Sequence, residues 1–253
     1  MIAESFAEGD SVIHRLNPKI KIVFAAVFSI VVAISGNFTT LTAALAASVL
    51  MVAAARLNTL EVLKRLSVLL GFIILIWLVM PFTFEGPALF CIGPLCPTRP
   101  GILLSAQISL KSFAILTAFM ALVATMTIPT LGHALSQMGL PDKLVLLFLI
   151  TYRYIFVIEQ EHQRLLRAMR IRGFKPGTNL HTYQSYAYLI GMLFVRSSIR
   201  GERVYKAMKC RGFSGKFHTV RSFSADKSNL IFSFVMTAVI VFLIGCDLWK
   251  NMN

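Results

Sequence analysis

An all-α fold, a polytopic membrane helix bundle of about five spans with long cytoplasmic helices, is what this sequence predicts, and three observations carry it. Of 253 residues, 57% are apolar and 14% charged, at a mean hydropathy of +0.73, where a soluble domain carries about 25% charged residues. Apolar runs near the length that a helix needs to cross hydrocarbon, about twenty residues, recur along the chain. Lys and Arg number 25 against 11 Asp and Glu, a net charge of +14. A polytopic protein keeps such an excess on its cytoplasmic face. Composition excludes a water-soluble globule.

The first run, Ile22 to Ile34, follows Arg15, Lys19 and Lys21 and spans if the lysines snorkel to the interface. The second, Phe38 to Ala55, places Ala43/Ala47 and Ala44/Ser48 four apart, a spacing that lets helix backbones approach closely in lipid. A third covers Leu66 to Phe84 and a fourth Ile102 to Thr127, the latter carrying Gln107 and Lys111. Arg56, Lys64 and Arg65 precede the third run, whereas the connector Glu85 to Gly101 holds only Arg99. The positive-inside rule therefore puts the N-terminus in the cytoplasm and that connector outside. Lys111, about ten residues into its span, is expected to snorkel or to bond a neighbouring helix, with no carboxylate expected inside a span to pair with it.

Leu144 to Ile158 is short for a span and contains Arg153. If it crossed, the cation-rich segment that follows, from Arg164 to Lys227, would be external. The sequence therefore places Lys143 to Ile158 half-buried, packed on the bundle's inner face or dipping in and out, and leaves Glu159 to Ser228 cytoplasmic. Leu230 to Leu248 is the last span. The resulting organisation is a four-span region over 1–128, a cytoplasmic or interfacial region over 129–228, and a C-terminal span over 229–253.

Inside the basic block the chain repeats itself. Arg164-Leu165-Leu166-Arg167-Ala168-Met169-Arg170-Ile171-Arg172-Gly173-Phe174 aligns without a gap on Arg203-Val204-Tyr205-Lys206-Ala207-Met208-Lys209-Cys210-Arg211-Gly212-Phe213, offset by 39. Leu165, Ala168, Met169 and Arg172 fall at i, i+3, i+4 and i+7, as do Val204, Ala207, Met208 and Arg211, so each copy is a helix with a narrow apolar stripe ending in an arginine. Gly173 and Gly212 then stand where a left-handed residue ends a helix, and a stop of that kind pairs Phe174 with Met169 and Phe213 with Met208. An arginine at a negative helix end contributes about 0.3–1 kcal/mol. That accounts for a cation, not for a doubled stripe, which needs a groove to fill. Two stripes suggest two grooves, most simply those of two like subunits.

Other chemistry is sparse. Gly212-Phe213-Ser214-Gly215-Lys216-Phe217 is too short for a phosphate-binding loop and lacks the following Ser/Thr. His14, His133, His162, His181 and His218 stand far apart, none at finger-like spacing from a cysteine. Cys91 and Cys96 leave three alternatives open: an external disulfide, two free thiols, or a soft-metal site. No catalytic residue, metal-ligand set or cofactor is expected.

The repeated Arg-Gly-Phe helices resemble the paired coupling helices of the transmembrane (T) component of energy-coupling factor transporters, whose signature is two Ala-Arg-Gly triplets. His14-Arg15-Leu16-Asn17-Pro18-Lys19-Ile20-Lys21 and Thr151-Tyr152-Arg153-Tyr154-Ile155-Phe156 resemble its cobalt and nickel branch, the CbiQ-like proteins. The likeness runs from about Val12 to Leu248, departing at Ile171 and Cys210, where alanine is usual. It implies a non-catalytic coupling subunit in a bacterial or archaeal cytoplasmic membrane. Such a subunit joins two ATP-binding ATPase subunits to a substrate-binding membrane (S) component for cobalt or nickel uptake, with the bilayer and no nucleic acid as its surroundings. The site it implies is Arg172, Gly173, Ala168 and Met169 in one copy and Arg211, Gly212, Ala207 and Met208 in the other. The alternative from another class is a self-contained channel or secondary transporter, which would carry paired ionisable groups or broken helices near the midplane.

Overall fold

A computed structural model describes residues 6, 9, 11–84, 87, 98–213, 215 and 227–252. Among them are nine helices and no β-strand: α1 (Val12–Arg15), α2 (Pro18–Ile34), α3 (Phe38–Ala55), α4 (Thr59–Thr83), α5 (Arg99–Leu122), α6 (Ile128–Gln137), α7 (Asp142–Ile171), α8 (Leu180–Cys210) and α9 (Lys227–Met252). They form two compact units, one of α1 to α5 with α9, the other of α6, α7 and α8. Cys91, Cys96, His218 and the Ser214 and Lys216 positions of the Gly-Lys segment lie outside the described residues.

In the first unit, four helices are long and apolar enough to cross a membrane: Phe38–Ala55, Thr59–Thr83, Arg99–Leu122 and Ser228–Trp249. The remaining expected span, α2, has 17 residues, at the short end of what crosses. Asn17 starts it, its side chain accepting from the Lys19 N–H at 3.0 Å with Pro18 at the first helical position, where the missing N–H costs nothing. The Asn17 N–H donates in turn to Asn229 Oδ1 on α9 at 2.9 Å. Just upstream, Ser11 Oγ lies 2.7 Å from His14 Nδ1, while His14 Nε2 donates to the Phe6 carbonyl at 2.9 Å.

The core joins Phe28 and Val32 of α2, Leu41 and Ala44 of α3, Ala118 and Ala121 of α5, and Met236 and Leu243 of α9. Of the two four-apart pairs on α3, Ala44 and Ser48 are the fully buried ones, and α3 packs chiefly on α5. Gly101 lets α5 approach α4, since a Cβ there would stand 2.8 Å from the Met80 carbonyl oxygen and from Pro81 Cα.

Three expectations are corrected in this unit. Lys21 does not snorkel: it is 1% exposed, and its ammonium turns inward to donate to Thr125 Oγ1 at 3.4 Å, because the turn after α5 offers a hydroxyl inside the bundle. The fourth run stops as a helix at Leu122 rather than Thr127, as the Val123 and Ala124 N–H groups both return to the Phe119 carbonyl at 2.8 and 3.2 Å. A carboxylate does lie in the last apolar run, at Asp247, which accepts from Ser35 Oγ at 2.8 Å and Asn37 Nδ2 at 2.9 Å and so ties α9 to the α2–α3 turn. Lys111 serves the same turn from α5, donating to the Ala33 carbonyl at 2.7 Å, and Gln107 donates to Gly36 O at 2.7 Å. These carbonyls at and just past the end of α2 would otherwise be orphans.

Candidate coupling interface

The second unit is built from a short helix, α6, that the sequence did not announce and two long helices, α7 and α8. α6 was missed. It ends in a glycine stop of the expected kind, with Gly139 at φ +95°, and the Leu140 N–H returns to the Leu135 carbonyl at 3.3 Å. Gly132 seats it on α7, a Cβ there coming within 2.7 Å of Leu149 Cδ2.

α7 is unbroken over 30 residues and α8 over 31, about 45 Å each at 1.5 Å per residue. The expectation for Lys143 to Ile158 is corrected here. The stretch does not dip in and out, since an unbroken helix cannot re-enter. Within its own unit Val145 is buried, Leu146, Leu149, Tyr152 and Phe156 are half-buried, and Leu144, Leu147 and Ile155 are exposed, because α6 covers one face only. In the same helix, the rings of Tyr152 and Phe156 meet edge to face at 5.5 Å, and the Arg153 guanidinium lies 6.0 Å from the Tyr154 ring centre.

Both repeat copies end as their spacing requires. After α7, Gly173 takes φ +81°; its N–H returns to Arg170 O at 3.0 Å and the Phe174 N–H to Met169 O at 3.1 Å. After α8, Gly212 takes φ +77°, with Gly212 N–H to Lys209 O at 3.0 Å and Phe213 N–H to Met208 O at 3.1 Å. These are the paired bonds of a Schellman stop. Arg172 and Arg211 are the residues just before each left-handed glycine, and both are exposed, as are Ala168 and Ala207. Met169 and Met208 are half-buried. Ile171, beside Arg172, is 87% exposed, an apolar side chain that nothing in its unit covers.

The connection between the helices is fixed by polar detail. Asn179 caps α8, accepting from the Thr182 N–H at 3.0 Å, and the Gly177 N–H donates to Thr182 Oγ1 at 3.2 Å. The Phe174 ring meets Tyr186 edge to face at 5.7 Å. Farther along, Glu161 of α7 accepts from the Arg196 guanidinium of α8, with Arg164 at 3.5 Å and Arg200 at 3.9 Å. The Arg196 hydrogen bond, aided by the charges of all three arginines and opposed by burial, holds this carboxyl below its ordinary value. The sequence reading missed Glu161; its signal was a carboxylate standing amid so many cations.

That contact locates the two arginines. Arg172 lies about 16 Å of helix from Glu161, toward the turn, and Arg211 about 22 Å from Arg196, away from it. The two stripe ends thus point along opposite arms, separated by up to about 38 Å, too far for one pocket to hold both.

The family model described as "CbiQ: Cobalt transport protein" matches residues 9–221. The energy-coupling factor transporter transmembrane protein of Bacillus subtilis is 26% identical over 260 residues, covering 96% of this chain and 98% of its own. The protein of the same name from Leuconostoc gelidum is 28% identical over 223 residues, 82% of each chain. An uncharacterized protein of the archaeon Methanocaldococcus jannaschii is 27% identical over 217 residues, 83% of this chain and 80% of its own.

Proposed function

As the chain belongs to the CbiQ family of cobalt transport proteins, we propose that it is the non-catalytic coupling subunit of an energy-coupling factor importer for cobalt or nickel ions. In this reading it joins two ATP-binding ATPase subunits to a separate substrate-binding membrane component, which selects the ion. The observation that supports it is the doubled glycine stop, each copy presenting an exposed arginine at the end of an apolar stripe that its own unit covers only in part. The membrane-crossing helices hold the subunit in a bacterial or archaeal cytoplasmic membrane with its N-terminus inside. α7 and α8 act as levers: ATP binding draws the ATPases together, and each carries one helix end with it.

The role of each residue follows from its position. Ala168 and Ala207 keep the backbone close to the partner surface, while Met169 and Met208 fill irregular apolar gaps. Gly173 and Gly212 end the helix abruptly, so that Arg172 and Arg211 stand at its tip. A guanidinium there offers two parallel N–H donors to a carboxylate.

The test is capture of the ATPase subunits, with metal uptake, at matched expression. A carboxylate left buried and unpaired in the complex costs about 2–5 kcal/mol. Arg172→Ala and Arg211→Ala should each weaken capture strongly and together abolish it, while the protein still inserts. Lysine should rescue poorly, because an ammonium lacks the two-pronged geometry. Arg167→Ala and Lys206→Ala, off the stripe, should change only salt sensitivity. Equal damage from these two would mean action by bulk charge and would sink the two-groove reading.

A further inference from the structure

The repeat duplicates more than a stripe. Arg164, Arg167 and Arg170 in α7 align on Arg203, Lys206 and Lys209 in α8, so each helix also carries three cations at i, i+3 and i+6. At 100° per residue, the centre of each row lies about 150° around the helix from the centre of its stripe. The two faces therefore meet different surroundings, and a row turned from the apolar stripe is open to an occupant of its own.

On α7 the row opens onto a concavity of about 740 Å³. Its cations come from the row, an apolar patch from Phe156, and neutral donors from Gln160 and Gln163, with Glu159 at its edge. All three row arginines are exposed. Arg164 pairs with Glu161 at 3.5 Å, and the Arg167 Nε–H donates within its own helix, to Gln163 O at 3.3 Å. On α8, Lys206 pairs with Glu202 at 2.7 Å and Lys209 lies 5.1 Å from the Tyr205 ring centre. With Glu159 and Glu161 against the three cations of the α7 row and Glu202 against those of the α8 row, both rows stay net positive. An apolar patch under a cationic rim, with neutral donors between, is the chemistry of an anionic headgroup site whose lipid chain lies against apolar surface.

We propose that the basic rows, that of α7 above all, bind the headgroups of anionic phospholipids, so that the coupling helices lie with one face on the membrane surface and the other free for protein partners. The rows are then the counter-surface of the stripes. The proposal goes beyond the coupling reading and relies on it only for what occupies the opposite face.

The full-length chain, delipidated in detergent, is titrated with phosphatidylglycerol and with phosphatidylcholine and read by native mass spectrometry. Each cation near an anionic surface contributes about fivefold in binding, so the intact chain should favour phosphatidylglycerol by at least about tenfold. Arg164→Gln, Arg167→Gln and Arg170→Gln combined should lower that preference by about fivefold or more, leaving what the α8 row supplies. The same three changed to lysine should keep most of the preference, which separates lost charge from a damaged fold. Arg172→Ala should leave the preference intact whatever it does to ATPase capture, so failure of the lipid proposal and failure of the coupling reading are read on different axes. Equal binding of both lipids by the intact chain, or an unchanged preference in the glutamine variant, overturns the proposal. So does loss of ATPase capture in the glutamine variant with its lipid preference kept, which would give the rows to a protein partner.

Discussion

Replacing Gly173 or Gly212 by valine tests whether the helix stop, and not just the arginine beside it, presents the coupling surface. Both glycines sit in the left-handed region, at φ +81° and +77°, and a Cβ added at either meets nothing within 4 Å. The penalty is therefore purely conformational: about 1–2 kcal/mol for an L-residue held left-handed, with a β-branched side chain at the high end. Opposing it are only the two backbone bonds of each stop, which end an exposed helix. A strain of that size shifts the local equilibrium by a factor of about 5–30, and the cheapest relief is to unwind the last turn. Arg172 or Arg211 then leaves its place above the stripe while the membrane helices stay as they are. Asparagine enters the left-handed region more readily, so Gly173→Asn should retain most ATPase capture where Gly173→Val loses most of it. Gly201→Ala, inside α8 with open space at its Cβ, should be neutral or slightly favourable. Capture is measured from membranes at matched insertion. Wild-type capture by Gly173→Val and Gly212→Val, or equal loss with asparagine and valine, would refute the link between the left-handed stop and the interface.

The Glu161 cluster gives a pH prediction: a carboxyl lowered in the folded state supplies stability above its unfolded value of about 4.3, lost as pH falls through the lowered value. Spin-label distances between α7 and α8 should broaden as pH falls below the ordinary carboxylate range, and in Glu161→Gln should be broad at every pH; a pH-independent distance in the unaltered chain would contradict this. Asp247→Ala should lower the detergent-unfolding midpoint, because the 2%-exposed Ser35 loses its acceptor at about 1–3 kcal/mol while Asn37 keeps its 3.2 Å bond to the residue's main-chain carbonyl, and an unchanged midpoint would show the tie to be slack. A single cysteine at Ser185, in a background free of native cysteine, should label only from the cytoplasmic side, and labelling from outside would make Lys143 to Ile158 a true span.

What the sequence disclosed and what it hid divide along one physical line. Apolar run length and a glycine after a periodic stripe are local signals, and from them the long helices and both stops at Gly173 and Gly212 were legible, down to the Met169–Phe174 and Met208–Phe213 pairings. Contacts between distant segments left no such trace. Lys21 reads as a snorkelling lysine until Thr125, 104 residues away, is brought beside it. Asp247 looks like the polar end of an apolar run until the turn at Ser35 and Asn37 meets it. α6 was hidden because Thr127-Ile128-Pro129 continues an apolar run without a visible break, while its stop at Gly139 lacks the basic last turn that marks the other two.

The two units differ in how they are held, and that difference bears on function. Among described residues, the membrane unit buries a continuous core from four helices. α7 buries Val145, and α8 buries Thr182 and Leu189. A helix pair with so little apolar burial of its own gains from hydrocarbon removed from water about 25 cal/mol per Å² only when another surface supplies it. Its internal geometry is set instead by directional contacts: the Asn179 cap, the Phe174–Tyr186 edge contact, and one carboxylate shared among three arginines. Directional contacts fix the crossing of α7 and α8 while covering their stripes only in part. A lever needs both properties, since a crossing that slid would absorb the ATPase motion and a stripe already packed could not accept a partner. On the proposed coupling reading, loosening the Glu161 crossing should therefore uncouple ATP hydrolysis from uptake while leaving the ATPase capture assigned there to Arg172 and Arg211 largely in place. Glu161→Gln in the assembled importer decides it. Uptake and capture falling together would mean that Glu161 merely supports folding, whereas hydrolysis that continues with uptake lost would establish the crossing as the lever's fulcrum.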